Sequence, residues 1–154
     1  MNKILIIYFS HSGTTEKTAQ YIAEGIRFSG CEAFIKAVSE IQTTADLKGF
    51  DGYIFGSPTY SSDVPPPMQV FLKLAGQADL RGKLAGAFGT YRHEVGYAPG
   101  GEAAAKILET MEKEFGMQTF ELGALKLKED IVETSEGLRT SQAYGKIFGE
   151  KLSL

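Results

Sequence analysis

The sequence predicts a doubly wound α/β fold, a parallel sheet of five strands with helices on both faces. Short apolar runs alternate about five times with segments of helical periodicity, as in βα repeats. The first run, residues 3–9, has almost no polar break, which is typical of a strand buried on both faces. A length of 154 residues with 43% hydrophobic content suits one domain, residues 1–154.

Strands are predicted wherever a short apolar run is bounded by turn residues. The second run is less apolar than the others, so we expect it at an edge of the sheet. Gly123 interrupts the fifth run. The predicted strands are residues 3–9, 31–38, 51–55, 84–88 and 117–127.

Helices are predicted where apolar residues recur at i, i+3, i+4 and i+7. The first follows directly after residue 13, where Thr14 or Thr15 is expected to cap it, and Gly30 ends it. A short helix is expected within residues 39–50. Three further helices are predicted, one that begins at the prolines 65–67, one with its apolar face from residue 104 and one with its apolar face from residue 138.

Composition excludes several functions. A net charge of −3, a pI near 5.4 and the lack of a basic stripe argue against nucleic acid as a partner. No apolar run approaches the roughly 20 residues of a membrane span, and no signal-peptide pattern is visible, so we expect a cytoplasmic protein without a membrane partner. Cys31 is the one cysteine, so we expect neither an internal disulfide nor a cysteine-based metal site, and no metal-binding residue is predicted.

The loop after the first strand is the strongest functional signal. Its residues are small or carry hydroxyls: Ser10, His11, Ser12, Gly13, Thr14 and Thr15. A strand, a tight loop and a helix N-terminus together direct backbone N–H groups at an anion. The loop has no Lys or Arg, which suits a cofactor monophosphate that is retained rather than transferred. An ordinary turn could have the same composition, and His11 is expected to be an exposed loop residue.

Two later loops should lie beside this one. In a doubly wound sheet, ligands bind outside the carboxyl ends of the strands. Residues 10–15, 57–63 and 90–101 all follow predicted strands and should meet there.

With these loops in view, the sequence resembles the flavodoxin family along nearly its whole length. Residues 10–15 match the family's [ST]-x-[ST]-G-x-T phosphate loop, while residues 56–60 and 88–91 resemble the two loops that hold the isoalloxazine ring of FMN. The resemblance implies non-covalent FMN and strand order 2-1-3-4-5. Beyond the phosphate loop, the implied cofactor-binding residues are Ser57, Pro58, Thr59, Tyr60, Ser61, Ser62, Gly89, Thr90, Tyr91, Arg92 and Tyr97.

A flat, largely apolar ring needs aromatic side chains to stack against. Tyr60, Tyr91 and Tyr97 are the available aromatic residues in the two loops. Plain packing is the alternative for each, most of all for Tyr97.

Two redox functions fit this resemblance. The first is an electron carrier between redox protein partners, acting as a monomer or weak homodimer. The second is an NAD(P)H-dependent oxidoreductase that acts on a flavin or quinone. Carriers of the family usually have a glycine after the aromatic residue of the second loop and acidic residues around the flavin, whereas this sequence has Ser61 and Arg92. Against the enzyme, the sequence lacks the extra segments that such reductases usually have. A module of the same fold that binds a phosphate ligand or a partner protein without electron transfer also stays open.

Overall fold

The computed structural model describes residues 1–59, 63–92 and 102–153. Its strands are β1 (Lys3–Tyr8), β2 (Glu32–Ala37), β3 (Gly52–Pro58), β4 (Leu84–Tyr91) and β5 (Gln118–Lys128). Its α-helices are α1 (Thr14–Phe28), α2 (Pro66–Ala75), α3 (Glu102–Lys113), α4 (Glu129–Val132) and α5 (Ser135–Leu152). Short 3₁₀ turns at Val38–Glu40 and Thr44–Leu47 take the place of the single short helix expected between β2 and β3.

The strands form one parallel sheet in the order β2-β1-β3-β4-β5. This confirms both the predicted fold class and the predicted strand order. The less apolar β2 lies at an edge, as expected. The carboxyl ends of β1, β3 and β4 are therefore neighbours, and the segments that follow them share one edge of the sheet.

Each face of the sheet carries its own hydrophobic core, because successive strand residues point to opposite faces. Ile4 and Ile6 of β1 are fully buried in the core under α1 and α5, whereas Leu5 and Ile7 are fully buried in the core under α2 and α3. Burial on both faces explains why the first apolar run has no polar alternation.

β3 and β4 are longer than their apolar runs predicted. Their parallel pairing continues through Ser57↔Gly89 and Pro58↔Thr90. Residues expected to begin the second and third loops are therefore the last residues of strands. Small and polar residues can extend these strands because the pairing depends on backbone hydrogen bonds rather than on apolar side chains.

The expected threonine cap of α1 is wrong. Gly13 occupies the N-cap position with φ of 94°, Thr14 is the first helical residue, and no side chain caps the helix. A left-handed backbone conformation costs glycine little, so Gly13 can make the sharp turn from loop to helix. Lys17 N then donates to Gly13 O at 3.0 Å, which closes the first turn.

β5 carries extra residues opposite β4. Ala85 pairs with Thr119 and Ala87 with Ala124, so the register shifts where the sequence placed an interruption at Gly123, whose φ is 74°. The Tyr144 hydroxyl of α5 lies where the register shifts. It donates to Gly123 O at 2.6 Å and lies 3.3 Å from Ala87 N, which donates to it. One phenol oxygen thus bridges two strands where their ladder is broken.

Across the described parts of the chain, no helix combines the length and the apolar character needed to cross a membrane.

Candidate functional site

The phosphate loop predicted at residues 10–15 lies between the end of β1 and the start of α1. Its turn is held by Gly13 N, which donates to Ser10 Oγ at 3.0 Å. The Oγ atom of Ser12 and the Oγ1 atom of Thr14 are 3.1 Å apart. The two hydroxyls are therefore adjacent, next to the N-terminus of a helix of 15 residues. This arrangement presents hydroxyls and a helix dipole to the same anion.

A carboxylate already accepts hydrogen bonds from these two hydroxyls. Glu129, the first residue of α4, accepts a hydrogen bond from Ser12 Oγ at 2.7 Å and one from Thr14 Oγ1 at 3.0 Å, both through Oε1. Its other oxygen, Oε2, lies 3.3 Å from Arg92 Nε. The loop therefore holds an anion through two hydroxyl donors, without a cation of its own.

The environment favours the ionised form of Glu129. Partial burial works to raise the pKa of this carboxyl group, but the hydrogen bonds from Ser12 and Thr14 and the charge of Arg92 outweigh it. The pKa therefore lies below its ordinary value of 4.5. Glu129 is an anion at neutral pH.

Thr15 and Thr90 join two of the predicted loops. Their hydroxyl oxygens are 2.7 Å apart, and the two residues are only 1% and 0% exposed. Thr90 O also accepts from Thr59 N at 3.1 Å. Hydrogen bonds at Thr90 thus connect the N-terminus of α1, the end of β4 and the segment after β3.

Two predicted cofactor-binding residues are deeply packed. Ser57 is fully buried, and its hydroxyl donates to Pro58 O at 2.8 Å. Gly89 is buried so close to α3 that an added Cβ would lie 2.9 Å from the Cβ of Ala104. Glycine is needed at position 89 because the helix packs against the strand backbone there.

A cavity of about 620 Å³ opens between the three segments, and we call it the central cavity. Sequence-predicted residues from all three segments line it: His11, Ser12, Pro58, Thr59, Thr90, Tyr91 and Arg92. This size is within the usual range of cofactor sites. Tyr60, Ser61, Ser62 and Tyr97 lie outside the described residues.

A larger groove of about 1040 Å³ adjoins the central cavity on the β2 side of the sheet. Phe9, His11, Ser12 and Pro67 line both spaces. Ser10 and Gly13 line the groove but not the central cavity. The predicted phosphate loop thus forms the boundary between the two spaces.

Sequence reasoning missed Phe9, Pro67 and Glu129 as lining residues of the central cavity. Phe9 was assigned to the first strand, and Pro67 to the start of a helix. Glu129 stands in a charged run that resembles a solvated surface. One signal could have found it, because Glu129 directly follows β5, and ligands bind at the carboxyl ends of such strands.

Within residues 1–59, 63–92 and 102–153, no group of three or more His, Cys, Asp or Glu side chains is arranged to hold a metal ion.

Comparison with known proteins identifies a family. The sequence model of the family described as Flavodoxin matches residues 6–140. A flavodoxin from Aquifex aeolicus is 36% identical in an alignment of 126 residues that covers 78% of this chain and 65% of that protein. The oxidised flavodoxin 1 of Bacillus cereus superposes with a TM-score of 0.81 at 27% identity, over 96% of this chain and 97% of that one.

An enzyme is also among the relatives. An NAD(P)H dehydrogenase (quinone) from Gluconacetobacter diazotrophicus is 32% identical in an alignment of 108 residues that covers 58% of this chain and 54% of the enzyme. The chain thus spans between about half and two thirds of the length of these curated relatives.

Flavodoxins bind FMN as their cofactor. The residues present fit FMN. Ser12 and Thr14 already donate hydrogen bonds to a carboxylate, and a terminal phosphate accepts hydrogen bonds from the same kind of donor. The central cavity beside them, lined by Pro58 and Tyr91, offers apolar surface for a flat ring.

Proposed function

Because this chain belongs to the flavodoxin family, we propose that it carries electrons between redox protein partners through non-covalently bound FMN. One observation carries the assignment of the cofactor site. The hydroxyls of Ser12 and Thr14, at the N-terminal end of α1, hold a carboxylate oxygen at 2.7 and 3.0 Å. A phosphate oxygen requires the same hydroxyl donors and the same helix end.

The phosphate is assigned to residues 10–15, and the ring to the central cavity. Gly13 lets the backbone approach the phosphate closely, while Ser10 holds the turn through Gly13 N. Of the three tyrosines proposed to contact the ring, Tyr91 is the one that the structure describes, and it lines the central cavity. The family resemblance adds Tyr60, Ser61, Ser62 and Tyr97 to the proposed ring contacts.

FMN supplies reversible electron transfer, and the protein supplies binding and orientation. Thr59 N donates to Thr90 O, and Ala103 N donates to Thr59 Oγ1 at 3.3 Å. These bonds connect the ends of β3 and β4 with the start of α3, next to the proposed ring site. A fixed site of this kind limits rearrangement when the flavin changes its redox state.

Flavin titration tests the cofactor assignment. The purified protein should be yellow or become so with FMN, with one FMN bound per chain. Riboflavin lacks the phosphate and should bind more weakly, because it cannot use the hydroxyls of residues 10–15. Equal affinity for FMN and riboflavin would contradict the phosphate assignment, and a protein that binds no flavin would support a module without redox activity.

A second candidate is an NAD(P)H-dependent oxidoreductase acting on a flavin or quinone. Two observations favour it: the quinone dehydrogenase relative, and the cationic Arg92 at the central cavity. Anaerobic mixing of the FMN-loaded protein with NADH or NADPH separates the two functions. A carrier should keep its oxidised absorption for minutes and lose it only when a reductase is added, whereas direct rapid bleaching would establish the enzyme.

A further inference from the structure

We propose that Glu129 occupies the phosphate loop when FMN is absent and competes with the FMN phosphate for the hydroxyls of Ser12 and Thr14. Glu129 is then a residue that sets the affinity for phosphorylated flavin. This inference rests on the proposed placement of the phosphate in residues 10–15.

The competition follows from the number of hydrogens. A serine or threonine hydroxyl has one hydrogen to donate. Ser12 Oγ gives its hydrogen to Glu129 Oε1 at 2.7 Å, and Thr14 Oγ1 gives its hydrogen to the same oxygen at 3.0 Å. A phosphate can receive these hydrogens only after the carboxylate has released them.

Charge acts in the same direction as the hydrogen bonds. Glu129 is an anion, and a phosphate that enters the loop brings further negative charge to the same place. Arg92 lies 3.3 Å from the other carboxylate oxygen, but its side chain is 75% exposed. Water and salt screen such an exposed cation, so it offsets the repulsion only in part.

The position of Glu129 allows it to release the loop. It is the first residue of the four-residue helix α4, its side chain keeps 21% exposure, and the groups that hold its carboxylate are polar, those of Ser12, Thr14 and Arg92. The carboxylate can therefore turn towards water without vacating a hydrophobic core.

Titrating FMN and riboflavin separately into the flavin-free protein tests the proposal. Glu129→Gln keeps the length of the side chain but removes its charge, so its hold on the hydroxyls weakens. We expect FMN to bind about tenfold more tightly to this variant, while riboflavin binding changes less than about twofold. Glu129→Ala frees both hydroxyls and should bind FMN at least as tightly as Glu129→Gln.

Asp130→Asn is the matched control, because it removes the same charge from the exposed neighbouring residue. Its FMN affinity should change less than about twofold, since the charge lies in solvent. Riboflavin affinity and far-UV circular dichroism report whether each variant is folded.

Unchanged or weaker FMN binding by folded Glu129→Gln and Glu129→Ala would overturn the proposal. Unchanged binding would mean that Glu129 does not compete with the phosphate, and weaker binding would mean that it positions the hydroxyls for it. An equal gain in Asp130→Asn would also overturn it, since net charge alone would explain the effect. These results leave the cofactor assignment intact. Failure of the unsubstituted protein to bind FMN would instead contradict both the cofactor assignment and the proposed competition by Glu129.

Discussion

The hydroxyl oxygens of Thr15 and Thr90 lie 2.7 Å apart, and both residues are buried where the start of α1 contacts the end of β4. Thr15 belongs to the proposed phosphate loop, whereas Thr90 belongs to the segment proposed to hold the flavin ring. One hydrogen bond between side chains thus connects the two halves of the cofactor site. Each hydroxyl is buried, so its hydrogen bond matters more than one at the surface.

We predict that Thr15→Val lowers the free energy of unfolding of the flavin-free protein by about 1–3 kcal/mol. Valine keeps the shape of threonine but leaves the buried Thr90 hydroxyl without this partner. Thr90→Val should cost a similar amount, and the double variant should cost less than the sum of the two. Urea unfolding measures all three, with the exposed Thr140→Val as the control. Strictly additive losses would mean that the two hydroxyls are not coupled.

A separate prediction concerns the phosphate. If Thr90 is the donor in the bond to Thr15, the hydrogen of the Thr15 hydroxyl is available to the phosphate of FMN. Thr15→Val should then weaken FMN binding about ten- to a hundredfold, since a hydrogen bond to a charged acceptor contributes roughly 1.5–3 kcal/mol. Riboflavin binding should change much less. Fluorescence titration with both flavins checks this, and equal losses for the two would place the effect outside the phosphate contact.

Tyr144 shows how much of the fold depends on one hydroxyl. Tyr144→Phe removes the group that bridges Ala87 of β4 and the carbonyl of Gly123 in β5. We expect a loss of about 1–3 kcal/mol in unfolding free energy, because buried backbone groups lose a partner where the ladder is broken. Thermal unfolding should show a drop of several degrees. Tyr21→Phe, on α1, is the control and should change stability by less than about 0.5 kcal/mol.

The fold was predictable from sequence because burial on both faces leaves a direct trace in the residues. Ile4 to Ile7 are fully buried without alternation, as a short strand covered by helices on both faces requires. The ends of β3 and β4 were not predictable in the same way. Ser57, Gly89 and Thr90 have no apolar side chain to mark a strand, and their backbone pairing shows only in three dimensions.

Part of the candidate site was likewise predictable from sequence, and part was not. Residues 10–13 lie in a local motif, so their spacing alone placed them beside a helix N-terminus. Glu129 reaches the same loop from 115 positions further along the chain than Thr14, through the path of β5 into α4. Its contact with Ser12 and Thr14 is visible only in the tertiary structure. Its place directly after β5 is the one signal in the sequence, and the charged neighbours Lys128 and Asp130 make that signal weak.

Tyr91 tests the placement of the flavin ring. Tyr91→Ala should weaken FMN and riboflavin binding by similar factors, because the contact is to the ring, which both flavins share. Bound flavin should also become more fluorescent, since stacking on a tyrosine quenches it. Tyr21→Ala is the matched control, because Tyr21 of α1 does not line the central cavity. A selective loss of FMN binding, or an unchanged spectrum and affinity, would contradict the proposed contact.

The last prediction concerns pH and the stability of the flavin-free protein. The pKa of Glu129 is lower in the folded protein than its ordinary value of 4.5, which stands for the unfolded chain. The folded state therefore favours the carboxylate, and this contribution is fully present above pH 4.5. As the pH falls below 4.5 and through the lower folded pKa, Glu129 gains a proton and the contribution is lost.

Glu129→Gln cannot titrate, so it isolates this effect. We expect the difference in unfolding free energy between the unsubstituted protein and Glu129→Gln to be constant from neutral pH down to about 5.5 and to shift against the unsubstituted protein below pH 4.5. Urea unfolding of both proteins across this range measures the difference. Other carboxylates, such as Asp46 and Asp63, titrate in both proteins, so their contribution cancels when the two are subtracted. High salt should reduce the effect only slightly. Salt does not screen the short hydrogen bonds from Ser12 and Thr14, and the largely exposed Arg92, which it does screen, contributes little. Parallel stability curves for the two proteins below pH 4.5 would show that Glu129 is not held as an anion in the loop.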